Sequence, residues 1–135
     1  MQLPQNVSFR PDLRLMIFRP RGILDQEQVN GIVAFLEKAE ERAKQPFDRF
    51  SDLSRLDAVN LDFSYVFRVS LHRRLSYSRR PAVKSAFFAP SEATIQIVKL
   101  HALVTDCSPL QVEWFTEIAL AAEWLGLTRK DLQET

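Results

Sequence analysis

The sequence predicts one α/β domain: a mixed, mostly parallel sheet of about five strands covered by about four helices, in the order ββαβαβαβα. Three observations predict it. Short β-rich runs alternate with stretches in which apolar residues recur every three or four positions; the prolines fall between these segments; and no repeat, low-complexity tract or linker divides the chain. At 135 residues and 46% hydrophobic content the chain can bury a core along most of its length, so residues 1–135 are expected to form a single domain.

Residues 6–9 and 13–19 flank Arg10-Pro11-Asp12, whose turn chemistry makes them a starting hairpin. Leu13, Leu15 and Ile17 alternate with Arg14, Met16 and Phe18, so the second strand is expected to be covered on both faces. Pro20-Arg21-Gly22 breaks that strand. Asp25 and Gln28 then form a capping box, and Val29, Ile32, Val33, Leu36, Ala39 and Ala43 mark the clearest amphipathic helix in the chain. Its charged run, residues 37–44, reads as a solvated face, with Glu40 placed to make a weak surface pair with Lys44.

Pro46 ends that helix, and residues 48–53 return as a strand. A second helix follows, capped by Asp62 or Asn60, with Phe63, Val66, Phe67, Ser70, Leu71 and Leu75 on one stripe and arginines at the end where the helix dipole favours cations. Pro81 introduces a strand over 83–89, and Pro90-Ser91 opens a third helix through Ile95, Val98, Ala102 and Leu103. Residues 110–115 form the last strand. Thr116 is expected to cap a final helix carrying Ile118, Ala121, Ala122 and Leu125, which Gly126 ends.

Composition excludes several classes of function. Cys107 is the one cysteine, so no internal disulfide forms, and no Cys/His group has zinc spacing. The first residues lack the pattern of a secretion signal, and no apolar stretch approaches the roughly 20 residues of a membrane span, so a cytoplasmic protein is expected. A net charge of +1 argues against nucleic acid as partner. His72 and His101 lie on different predicted helices with no partner at ligand or triad spacing, and Gly22, Gly31 and Gly126 cannot make a glycine-rich phosphate loop. Cys107 reads as a small apolar residue. No catalytic residue, metal or cofactor is assigned, and binding is expected rather than catalysis.

Four passages resemble the SpoIIAA-like fold of STAS domains, the anti-sigma-factor antagonists and their lipid-pocket relatives. Arg21-Gly22-Ile23-Leu24-Asp25 resembles the strand exit before the first helix, Asp52-Leu53-Ser54 the central strand end, and Val83-Lys84-Ser85-Ala86-Phe87-Phe88 the next strand. The aromatic-rich run from Val112 through Trp114 and Phe115 to Trp124-Leu125 is similar to the ending of that fold's uncharacterised branch. The likeness covers about residues 13–126 and implies a non-catalytic regulatory module with a protein partner.

The resemblance also nominates sites. In the anti-sigma-factor antagonists a kinase phosphorylates a serine or threonine at the start of the helix after the central strand, within an Asp-Ser-Ser-Gly-like motif. The matching place here is Asp62-Phe63-Ser64-Tyr65, which makes Ser64 the candidate phosphoacceptor, although Phe63 and Tyr65 replace the motif's small residues. An unmodified Ser64 helping to cap the helix is the simpler reading. Arg73, Arg74, Arg79 and Arg80 form a candidate docking patch for an acidic partner or anionic headgroup, with Ser76 inside it as a second modifiable serine; a solvated helix end is the alternative. Phe63, Phe67, Phe87, Trp114 and Trp124 are candidate walls of an apolar pocket for a fatty acid or similar ligand, as the lipid-pocket relatives imply, or ordinary core. An exposed helix face would also allow a homodimer.

Overall fold

The computed structural model describes residues 2–133. The chain runs β1 (Val7–Arg10), β2 (Leu15–Phe18), β3 (Gly22–Asp25), α1 (Gln26–Arg42), β4 (Asp48–Asp52), β5 (Leu56–Asn60), α2 (Phe63–Ser76), β6 (Val83–Phe88), α3 (Glu92–Val104), β7 (Leu110–Phe115), α4 (Ile118–Leu125) and a 3-10 turn (Arg129–Leu132). Five strands make one sheet in the order β1-β2-β4-β6-β7, with β1 antiparallel to β2 and the remaining neighbours parallel. This is the expected ββαβαβαβα order, with β3 and β5 added as a separate parallel pair. Neither short strand is visible in sequence, because β3 follows a Pro/Gly break and β5 carries the strand-disfavouring Asp57 and Asn60. Their mutual pairing makes them strands.

Helix starts follow local chemistry. The Asp25 carboxylate accepts from the Gln28 amide at 3.0 Å and the Asp62 carboxylate from the Tyr65 amide at 2.7 Å, so Asp62 caps α2 rather than Asn60 or Ser64. Ser91 caps α3. At α4 the capping position is Glu117, without a side-chain cap bond, so Thr116 does not have the expected role. Gly126 closes that helix at φ 74°, the left-handed conformation that glycine adopts without strain.

The sheet's two faces differ. On one, Leu15, Ile17, Phe50 and Ala86 pack against Ala121, Ala122 and Leu125 of α4 and Leu132 of the 3-10 turn. Each large side chain buried there contributes roughly 1.5–3 kcal/mol. On the other, Val83, Leu110 and Val112 pack with Leu53, Ala89 and Val98, close to α3. That layer thins beneath α1. A 17-residue amphipathic helix ordinarily sinks its apolar stripe, yet Val29, Ile32, Val33 and Leu36 of α1 stay only half-buried.

Candidate functional site

The reason α1 is not sunk is a cavity of about 150 Å³ between α1, α2, α3 and the sheet. Val29, Ile32, Val33 and Leu36 of α1 line it half-buried, facing space where sheet side chains would otherwise meet them. Val66 and Val69 of α2, Ile97 and Val98 of α3, and Met16, Phe18 and Phe87 from the sheet complete the apolar wall.

The central strands give this wall a polar floor. Strand alternation sends Phe50 and Ala86 to the α4 side and Arg49, Ser51 and Ser85 to the helix-covered side, where all three are buried. Arg73 and Ser70 of α2 and His101 of α3 join them. Arg49 Nη2 donates to Glu40 Oε2 at 2.6 Å, and Arg73 grips the same carboxylate at 2.9 and 3.2 Å. The Arg49, Glu40 and Arg73 side chains are 3%, 5% and 4% exposed. Arg49 Nη1 donates to the Tyr77 hydroxyl at 2.8 Å, and that hydroxyl bonds Glu40. Burial pushes the Glu40 carboxyl up, but the hydrogen bond from Arg73 and the charges of Arg49 and Arg73 outweigh burial and hold it below its ordinary value. Burial is also the main reason the Tyr77 phenol is raised.

One buried polar atom in this cluster, Arg49 Nε, has no hydrogen-bond partner. Glu40 lies in a smaller adjoining pocket with Arg49, Tyr77 and Arg80, and does not line the cavity. Both charged residues on the cavity wall are therefore cations, Arg49 and Arg73. His101 Nδ1 sits 2.8 Å from Ser70 Oγ, and Phe87 meets its ring edge-on. Burial, with a smaller contribution from Arg73, lowers the imidazole pKa to about 4, which leaves a neutral and weakly basic ring at physiological pH.

The structure redistributes the residues nominated from sequence. Phe87 lines the cavity, but Phe63 and Phe67 are 60% and 49% exposed. Trp114 packs against the α3-side core, and Trp124 lies against Phe115 on the α4 side. The expected α2 stripe is split: Val66 and Ser70 point inward together with Tyr65 and Arg73, whereas Phe63, Phe67, Leu71 and Leu75 face solvent. Arg73 is interior and does not belong to a surface patch. Arg74 bonds the Val104 and Asp106 carbonyls, Arg80 bonds the Ser76 carbonyl, and Arg79 is exposed. Ser64 is exposed in the first turn of α2, and the Ser76 hydroxyl bonds the His72 carbonyl. Cys107 is exposed rather than buried, and Glu40 is buried rather than solvated. Sequence reading missed Arg49, Glu40 and Tyr77; the signal available was an arginine inside a strand flanked by Phe47 and Phe50.

No protein-family model and no curated protein matches the chain in sequence. Among solved structures it is similar to an uncharacterised protein of the DUF3478 family with a SpoIIAA-like fold from Shewanella loihica PV-4. The TM-score is 0.56 at 18% identity, over 88% of this chain and 90% of that one. The chain has a SpoIIAA-like fold. At this identity the likeness speaks for the fold alone. Among the described residues no helix is long and apolar enough to cross a membrane, and no group of His, Cys, Asp or Glu is arranged to hold a metal ion.

Proposed function

We propose that this protein is a non-catalytic carrier or sensor that binds an apolar small molecule in the cavity between α1–α3 and the sheet. The observation that carries the reading is the half-buried apolar stripe of α1 standing over a space of about 150 Å³. Close packing is the rule in protein interiors, and a void of this size lined by Val, Ile, Leu and Phe is large enough to take a small hydrocarbon. Native mass spectrometry of the purified protein with 1-octanol tests it. The expected result is a one-to-one adduct that disappears on denaturation and is absent in Val69→Phe, which fills the cavity. Absence of the adduct in the folded wild-type protein would overturn the reading.

A second reading, a regulatory module that docks a protein partner or a second copy of itself, is favoured by a different observation. Phe63, Phe67, Leu71 and Leu75 form an exposed apolar stripe along α2, with Ser64 at its start. Contiguous exposed apolar residues of this kind mark association surfaces. Light scattering of the wild type against Phe67→Asp/Leu71→Asp is expected to show a dimer that the double variant loses; two monomers would remove self-association from this reading.

A further inference from the structure

We propose that the polar end of the cavity is an anion subsite, in which Arg49 and Arg73 receive the carboxylate of a small amphipathic acid whose hydrocarbon part fills the apolar remainder. This rests on the cavity being a ligand site and names the class of ligand.

Charge carries the argument first. Two guanidinium groups and one carboxylate are buried together, and the carboxylate of Glu40 lies in the adjoining pocket rather than on the cavity wall. Glu37 approaches Arg73 only at 3.9 Å, is 32% exposed, and is shared with His72. Arg80, over the Tyr77 ring, adds a further cation to the adjoining pocket. A buried charge in excess is costly unless an opposite charge meets it. An anion entering the cavity supplies that charge, whereas a neutral ligand leaves the excess in place.

Hydrogen-bond accounting points to the same end. Arg49 uses Nη2 on Glu40 and Nη1 on Tyr77, and its Nε is buried without a partner. A guanidinium nitrogen only donates, so a partner for it is an acceptor, the same chemistry that answers the charge. Ser51 and Ser85 place hydroxyls on the same floor, and neutral His101 adds a polar group without competing charge.

Volume sets the size of the ligand. A cavity of roughly 150 Å³ holds a molecule such as benzene, so the hydrocarbon enclosed here is on the order of six to eight carbons. A long acyl chain exceeds this space.

Calorimetric titration at pH 7 with octanoate, octanamide and hexadecanoate tests the assignment on wild type and Arg49→Met. Octanoate is expected to bind at least about tenfold more tightly than octanamide, which has the same size without the charge. Arg49→Met is expected to erase that preference while octanamide affinity stays. Equal binding of octanoate and octanamide to wild type overturns the anion subsite and leaves the ligand cavity standing. Binding of neither overturns the cavity reading itself. Hexadecanoate binding more tightly than octanoate overturns the size assignment. Should Arg49→Met not fold, the octanoate-to-octanamide ratio on wild type alone decides.

Discussion

Removing one charge from the Glu40 cluster has different consequences depending on which charge goes. Glu40→Gln leaves Arg49 and Arg73 facing each other with no buried anion, and is expected to cost about 3–5 kcal/mol in urea unfolding. Arg49→Met leaves the Glu40–Arg73 pair intact, and its expected cost is under about 1.5 kcal/mol. His101 gives a separate pH signature. Its folded pKa is about 4 against an ordinary 6.5, so between these values the unfolded chain binds the proton and the folded protein does not. Stability is therefore complete above about pH 6.5 and falls as pH drops towards 4. Glu40 has the depressed-carboxyl sign, contributing stability above its ordinary 4.5 that is lost as pH falls further, so the window from 6.5 to 4.5 belongs to His101. Urea midpoints measured across that window are expected to fall in wild type and to stay flat in His101→Gln. At Cys107, φ is 62°, a left-handed value that costs a side-chain-bearing residue energy, and Cys107→Gly is expected to raise stability by about 0.5–1 kcal/mol in thermal unfolding.

At the scale of single elements, α1 and α2 show how far periodicity reaches. The α1 stripe of Val29, Ile32, Val33 and Leu36 was legible, because the residues around it are charged or polar and leave one choice of face. What lies opposite that face was not, since the pattern is the same over a packed sheet and over a cavity. Truncation separates the two cases. Val33→Ala, half-buried beside empty space, is expected to cost under about 1 kcal/mol, whereas Phe50→Ala, fully buried against α4, is expected to cost about 3–5 kcal/mol. On α2 the phase itself was ambiguous: Phe63, Phe67, Leu71 and Leu75 make one apolar row, and Tyr65, Val66 and Val69 make another. The row with fewer hydrophobic residues went inside because Arg73, Ser70 and Tyr65 find hydrogen-bond partners there: Glu40, His101 and Asn30 respectively. A hydrophobicity count cannot see those partners, because they come from other elements.

For the whole molecule, the prediction concerns the balance between the two layers. The α4 side is closely packed and the α1–α3 side is held partly by polar contacts between helices, such as Tyr65 to Asn30 at 2.5 Å and Arg73 to Glu40. Filling the cavity with Val69→Phe is expected to change unfolding free energy by less than about 1 kcal/mol while removing ligand binding, since the added ring occupies existing space. The sequence by itself determined the ββαβαβαβα order of the main sheet and its helices, the caps at Asp25, Ser91 and Gly126, and the α/β class, because each depends on residues within a few positions of one another. Only the tertiary structure decided which face of α2 points inward, that Glu40 and Arg73 are buried as a pair 33 residues apart, and that space remains under α1. Those outcomes depend on volumes and charges brought together across the chain, and local spacing carries no record of them.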